Sequence, residues 1–345
     1  MAAPFVSVLM VARDAALFID EAILSVRAQT FTDIEIVVVD DGSSDATAQL
    51  ARAHAEVDER IRVLDGPCKG LSAVRNASLN AARGRFAAIV DSDDILDPHH
   101  LERLVAGQSR DGAHICAANM VEFEQDRDVI RTHIFAQGPT WQTARNIGPA
   151  EFVRRGMIGA RDISLGYLKP LFDLTFLRRH AIVYDERLRI GEDFDLVLRA
   201  MLAGARYRFM PQATYCYRKH SGSTSHRLTS PDLRALLDAT RAYSAHDGHL
   251  AEQLRARVEN LEGARRQVEA LDASRNGRLI EAIRLVAPHR DARRLMLSSL
   301  TESLLKRLGL FDAIRRQGRS FSPETALVDL PSAVLRPAQT AIPNG

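Results

Sequence analysis

A chain of 345 residues, 46% of them hydrophobic, can fill a proper core and has length for one large domain with an appendage, or for two domains. Its 46 Lys and Arg against 44 Asp and Glu leave the net charge near zero, which removes any reason to expect nucleic acid or another polyanion as a partner of the whole molecule. Three cysteines, Cys68, Cys116 and Cys216, contain no CxxC pair, so a disulfide framework and a structural zinc site are excluded and a reducing, cytoplasmic compartment is expected.

The opening MAAPFVSVLMVA has no basic stretch before its apolar run and reads as a core strand, not a signal peptide. No apolar run reaches the ~18 residues of a bilayer span, so any membrane contact is expected to be peripheral. The runs VSVLMVA (6–12), IEIVVVD (34–40), IRVLD (61–65) and FAAIVD (86–91) predict parallel strands buried on both faces. Ile19, Ile23 and Val26 share one helical face after an N-cap at Asp14; Leu71, Val74 and Ala81 do so before a stop at Gly84. This alternation predicts an α/β fold, a Rossmann-like, mostly parallel sheet flanked by helices.

Further on, HICAANMVEF (114–123) predicts another strand, and residues 124–165 read as irregular, broken by Gly138, Pro139, Gly148 and Pro149. A helix is predicted from Glu192, its stripe of Phe194, Val197, Leu198 and Met201 ending at Gly204. YRFM and ATYCYR, on either side of Pro211, predict two short strands. Helices are expected over 231–272 and over 278–316, the latter interrupted at Pro288, and a loosely ordered tail over 321–345.

Ligands of open parallel sheets collect at the carboxyl ends of strands, and two of these runs end in acids. IEIVVV leads into Asp40, Asp41, Gly42, Ser43, Ser44 and Asp45; FAAIV leads into Asp91, Ser92, Asp93 and Asp94. Asp45 and Asp97 are adequately explained as helix caps. Asp91 and Asp93 are not, because two carboxylates two residues apart at a strand end make a hard-oxygen site for Mg²⁺ or Mn²⁺ with room for phosphate oxygens.

In order, the stretches 6–47, KGLSAVRNASLNAARGRFAAIVDSDDILDP (69–98), LKPLFDLTFL (168–177), IGEDFDLVLRA (190–200) and YCYRKHSGSTS (215–225) resemble the inverting glycosyltransferases of family 2, which have the glycosyltransferase A fold. The likeness extends to bacterial exopolysaccharide enzymes such as the succinoglycan glucosyltransferases. It implies a catalytic domain over 1–227, with a nucleotide-binding half (1–110) and an acceptor half (111–227), followed by a helical extension over 228–320. It also implies transfer of a hexose such as glucose from a UDP-sugar to a saccharide acceptor, a lipid-linked polysaccharide intermediate among them. Asp40 and Asp41 then resemble the acids that hold uracil and ribose, with Ala12 near the base and Arg75 as a nucleotide-contacting arginine. Arg75 has the competing reading of a solvated helix residue. Asp91 and Asp93, flanking Ser92, resemble the acid pair that reaches the sugar and ligates the metal bridging the diphosphate.

Inverting transfer needs one base for the acceptor hydroxyl, and by resemblance this is Asp193, with Glu192 touching the acceptor or supporting the site. Taken alone, acids in a helix's first turn merely complement its dipole. His220 resembles a histidine near the metal, and Arg218, Lys219, Gly222 and Ser223 make a loop able to close over phosphates. Trp141 suits sugar stacking and core packing equally.

From Arg278 to Arg319 there are ten Arg and Lys against four Asp and Glu, with leucines between them. Such a segment fits the cytoplasmic face of an anionic membrane, the catalytic domain, or a second copy of the chain in a homo-oligomer. Three rival functions fit the sequence less well. A nucleotidyltransferase wants a Gly-rich loop after the first strand, where ARDAALF has no glycine. A haloacid-dehalogenase phosphatase wants its acid pair there too. An inactive nucleotide-sugar-binding protein has no need to keep both acid pairs.

Overall fold

The four apolar runs form β1 (Val6–Ala12), β2 (Ile34–Asp40), β3 (Ile61–Asp65) and β4 (Phe86–Ile89) of a computed structural model that describes residues 3–126, 129–160, 163–220, 228–245 and 247–307. Between them lie α1 (Ile19–Arg27), α2 (Thr47–Val57) and α3 (Leu71–Ala81). Then come β5 (Ile95–Leu96), α4 (His100–Asp111), β6 (Ile115–Asp126), β7 (Val129–Ile134), β8 (Arg145–Ile147), α5 (Pro149–Arg155), β9 (Leu171–Asp173), α6 (Leu174–Arg179), α7 (Glu192–Leu202) and β10 (Tyr207–Arg218). Helices α8 (Ser230–Ala242), α9 (Gly248–Arg275), α10 (Leu279–Val286) and α11 (Arg290–Arg307) complete the described chain.

Two compact units are present, one from residues 1–148 and 166–223, the other built on 149–165 and the helices after residue 223. The first holds one sheet in the order β3-β2-β1-β4-β9-β6-β10-β5, with β7 on β6 and β8 on β10. β1 pairs in parallel with β2 and β4, β2 with β3, and β6 with β10; β9 runs antiparallel between β4 and β6. β3, β2, β1, β4, β6 and β10 therefore all point the same way, and their carboxyl ends gather along one edge. All seven residues of β2 are buried, as expected of a strand covered on both faces.

Several local expectations are corrected. Asp14 does not cap α1, which starts after Phe18; Asp14 takes a positive φ of 50°, and its Oδ1 accepts bonds from the N–H and hydroxyl of Ser44. The stretch 124–165 is not irregular throughout. β6 runs on to Asp126, β7 turns back on it, and β8 and α5 follow. β7 lies at the sheet's margin with Arg131 and Thr132 exposed, so its sequence carries no sustained apolar alternation. YRFM and ATYCYR are one strand, whose pairing with β6 shifts register between Met210 and Ala213. Pro211 has no N–H to give the ladder, so the irregularity falls there.

The second unit is built on the 28-residue α9. Asn260 accepts from the N–H of Ile158 at 2.7 Å and donates to its carbonyl at 3.1 Å, and Arg257 donates to the carbonyl of Gly156, tying the segment after α5 to α9. Gly263 lets α9 approach α11 closely: a Cβ there would lie 2.7 Å from that of Asp291 and 2.9 Å from the Ala292 nitrogen. Thr229 and Asp232 form a reciprocal capping box at the start of α8. Residues 308–345, with the predicted tail and the last part of the basic segment, lie outside the described residues.

Candidate active site

β1 and β2 end side by side, Ala12 opposite Asp40. The Asp41 N–H donates to the Ala12 carbonyl at 2.8 Å, which carries the pairing one residue past the strand. Asp40 accepts from the Ser43 hydroxyl, and from the Ser43 N–H at 3.2 Å; Asp41 Oδ1 accepts from the Cys68 N–H at 2.7 Å. Ala12, Asp40 and Asp41 are thus together and buried, and the two carboxylates suit the N–H and O–H donors of a nucleoside.

Beyond β4 the chain makes a tight turn, the Asp94 N–H reaching the Asp91 carbonyl at 3.2 Å, with Ser92 and Asp93 at its tip. Carboxylate oxygens of Asp91, Asp93 and Asp94 come within 4.8 Å of one another. Asp94 is fully buried and accepts from the Tyr215 hydroxyl at 2.7 Å and the Arg218 N–H at 2.8 Å; Tyr215 in turn accepts from the Asp91 N–H at 3.1 Å. Burial, then the charges of Asp93 and Asp91, push Asp94 well above the usual carboxylate range. Asp94 therefore pins the turn to β10, while Asp91 and Asp93 keep partial exposure. His220, just past β10, places Nε2 2.9 Å from Asp93 Oδ2 and packs its ring on Phe18. Two hard carboxylates with an imidazole beside one of them fit Mg²⁺ or Mn²⁺.

The segment 184–193 is delivered to this turn by α3. Asn76 clasps the backbone of Tyr184, accepting from its N–H at 2.8 Å and donating to its carbonyl at 3.0 Å, and Ser72 donates to the Leu188 carbonyl at 2.5 Å. Gly191, at φ +81°, turns the chain into α7 so that Glu192 and Asp193 emerge in its first turn. Arg75, on the same side of α3, is 4% exposed, which excludes the solvated reading. It bonds Asp193 and lies 3.3 Å from Glu192 and 3.2 Å from Asp91. Lys169 bridges the same two aspartates, 2.8 Å from Asp91 and 3.2 Å from Asp193, and the Tyr184 hydroxyl donates to Asp193 at 3.2 Å.

These contacts divide the carboxyl groups. Burial raises Asp193, but Arg75 and Lys169 together outweigh it and hold that carboxyl well below the ordinary range. At Glu192 burial prevails over Arg75, and its carboxyl is raised. Ten of the predicted site residues thus lie in one of two places: Ala12, Asp40 and Asp41 at the β1–β2 ends, and Arg75, Asp91, Ser92, Asp93, Glu192, Asp193 and His220 around the turn after β4.

Lys169, Tyr184, Asp94 and Tyr215 were given no role from sequence. Lys169 and Tyr215 stand in motifs quoted for the resemblance, and an isolated lysine in the apolar LKPLF was the available signal for the first. Arg218 and Lys219, expected over phosphates, are engaged elsewhere. Arg218 lies between the Phe18 and Phe123 rings, bonds the Asp93 carbonyl and pairs with Glu21; Lys219 pairs with Glu122 at 2.6 Å. Gly222 and Ser223 lie outside the described residues. Trp141 is buried edge-on against Phe209, a packing role.

Comparison with known proteins agrees with this geometry. The family model described as glycosyl transferase family 2 matches residues 7–163. Two proteins of Rhizobium meliloti (strain 1021), the succinoglycan biosynthesis proteins ExoO and ExoU, are each 34% identical to this chain, over 240 residues (70% of this chain, 68% of ExoO) and 246 residues (70% and 69% of ExoU). Among solved structures, S. aureus TarS residues 1–349 with UDP-GlcNAc superposes with a TM-score of 0.61 at 18% identity, covering 84% of this chain and 92% of that one. A Pyrobaculum calidifontis mannosyltransferase, PcManGT, with GDP-Man and Mn²⁺ superposes with a TM-score of 0.55 at 15% identity, covering 91% and 85%. The structures establish the glycosyltransferase A fold, and the sequence relatives establish that this chain belongs to glycosyltransferase family 2.

Proposed function

We propose that this enzyme transfers a sugar, a hexose such as glucose, from a UDP-sugar to a lipid-linked polysaccharide intermediate, inverting the anomeric centre. The observation that carries this reading is the single cluster in which Arg75 and Lys169 join Asp91, at the end of β4, to Asp193, at the start of α7. One acid of the metal pair, Asp91, and an acid outside it, Asp193, are thereby held one cation apart. The naming of the relatives for succinoglycan biosynthesis supports a polysaccharide acceptor, and the UDP-GlcNAc bound to TarS supports a UDP-sugar donor.

Asp40 and Asp41 are assigned to uracil and ribose, in a donor half over 1–110, with the acceptor taken by 111–227. Asp93 and His220, together with Asp91, would hold Mg²⁺ or Mn²⁺, which when bound spreads the negative charge of the diphosphate. Asp193 takes the proton of the acceptor hydroxyl as its oxygen bonds to the anomeric carbon. The bond from that carbon to the phosphate oxygen breaks, and its electron pair leaves with UDP. Neither a covalent intermediate nor a second catalytic carboxylate is needed; Glu192 supports Arg75. The cations that weaken Asp193 as a base in the donor-free chain are also those that donor phosphates or sugar hydroxyls attract. Their engagement by donor returns basicity to Asp193 when it is required. Peripheral contact with the cytoplasmic face of a membrane, through the basic segment 278–319, would bring such an enzyme to a lipid-linked acceptor.

A screen of nucleotide-sugars for UDP release with Mn²⁺, Mg²⁺ or chelator, followed by mass analysis of glycosylated lipid-linked acceptors, tests the reading. Metal-dependent UDP release from one donor is expected. Binding of UDP without release from any donor would leave a nucleotide-sugar-binding protein instead.

A further inference from the structure

Twelve large apolar side chains are exposed among the described residues, and six of them, Leu279, Ile280, Ile283, Leu297, Leu300 and Leu304, fall within α10 and α11 at 57–69% exposure. Scattered single exposures are ordinary, but this concentration is not. No residue of α10 is buried, although its sequence LIEAIRLV is mostly apolar. In α11 the inward side is already satisfied: Ala292 and Leu295 are buried, and Gln267 of α9 donates to the Leu295 carbonyl. Leu297, Leu300 and Leu304 recur at helical spacing on the opposite side, and Arg290 and Arg293 continue the same stripe toward the N-terminus.

The charge on this surface decides what would cover it. Residues 278–307 contain seven Arg and Lys against three Asp and Glu. Arg278 is paired with Glu281 and Arg294 with Asp291, whereas Arg284 and Arg290 are exposed with no carboxylate within 4.0 Å among the described residues. A two-fold contact between copies would set this net-positive surface against itself, seven cations and three acids on each side, and like charges facing one another across an interface are costly. A bilayer surface accepts both the leucines and the arginines. Leucine and isoleucine enter the acyl boundary while arginine stems lie along it and their guanidinium groups reach anionic headgroup phosphates.

We infer that α10 and α11 form a docking surface for an anionic phospholipid bilayer, with Leu279, Ile280, Ile283, Leu297, Leu300 and Leu304 as the inserted side and the adjoining arginines as the headgroup contacts. The docking rests on the peripheral membrane contact proposed above and assigns it side chains and a lipid charge, but it needs neither donor nor catalysis, so the vesicle test can fail while the proposed reaction stands.

The test is co-sedimentation of the full chain with vesicles of phosphatidylcholine alone and with about one third phosphatidylglycerol, at low and high salt. Saturable binding to the anionic vesicles, weakened by salt, with little binding to the neutral ones, is expected. Ile280→Ser with Ile283→Ser should weaken binding by about tenfold or more, and Arg284→Gln with Arg290→Gln by several-fold to about tenfold, both with unchanged circular dichroism and melting. Absence of binding by the wild-type chain, equal binding to both vesicle types, or wild-type binding by the folded isoleucine variant would each overturn the inference. So would a change from dimer to monomer on sedimentation in that variant with vesicle binding intact, since the face would then belong to a second copy.

Discussion

Replacing Asp193 by Asn tests the site most directly, because the change keeps shape and removes only the anion. The carboxylate is bonded by Arg75, Lys169 and Tyr184, and its side chain is 19% exposed. Removing the sole partner of a buried cation costs about 3–5 kcal/mol, but here Asp91 remains 3.2 Å from Arg75 and 2.8 Å from Lys169, and Glu192 stays 3.3 Å from Arg75. The stability loss is therefore expected nearer about 1–3 kcal/mol, a fall in Tm of roughly 3–10 °C for a domain of this size. Catalysis should suffer far more. A positioned general base contributes about 10²–10⁴-fold, so kcat for UDP release should drop by about 10³ with KM for the donor little changed. Coupled UDP-release kinetics, calorimetric UDP binding and a thermal melt on the same preparation separate the two effects. A folded variant that binds UDP and turns over within about tenfold of wild type would falsify the assignment of Asp193 as base.

Lys169→Met removes one of the two cations that hold Asp193 low in the donor-free chain, so the acid limb of the kcat/KM–pH profile should move to higher pH; an unmoved limb would show that Lys169 does not govern the base. Gly66→Ala should weaken UDP binding by about tenfold in calorimetry, because a Cβ there would lie 2.8 Å from Asp41 Oδ1 and 2.9 Å from the Asp40 carbonyl; unaltered affinity would remove Asp40 and Asp41 from the nucleotide site. His100 is buried, bonded to Thr214, and brought from 6.5 down to about 3 by burial and then by Arg103. Being neutral when folded, it contributes stability that is fully present above the unfolded value and is lost as pH falls from 6.5 toward about 3. The loss is at most about 5 kcal/mol, and in His100→Asn the fall of Tm over that window should flatten.

How much of this was legible in the sequence depends on the range of the interaction. The parallel strands show as continuous apolar runs, and the acids after β2 and β4 show because they are contiguous and follow those runs at once. Helix α7 shows through Phe194, Val197, Leu198 and Met201. β7 did not, since VIRTHI pairs with β6 at the sheet's margin and its Ile130, packed against Ile95, Phe123 and Cys216, is too little to make a sustained apolar alternation. Arg75 reads in the sequence as a nucleotide contact; its bond to Asp193 spans 118 positions, and no local pattern reports such a distance. Lys169 is a single cation among apolar residues, which reads as an anomaly in the pattern, while its two partners come from β4's end and α7's start.

Those distant cations account for how so many acids share one site. Five carboxyl groups, Asp91, Asp93, Asp94, Glu192 and Asp193, could not stand ionised together without compensation. The fold answers separately for each: burial and its acidic neighbours favour the protonated form of Asp94, burial also raises Glu192, and Arg75 with Lys169 balance Asp91 and Asp193. Asp93 is left with an imidazole beside it and its carboxylate partly open. Within the proposed reaction, Asp93 is then the partly exposed acid with no Arg or Lys within 4.0 Å among the described residues, which suits a divalent cation carrying a diphosphate, whereas the cations that compensate Asp193 are built into the fold and would be drawn away by an arriving donor.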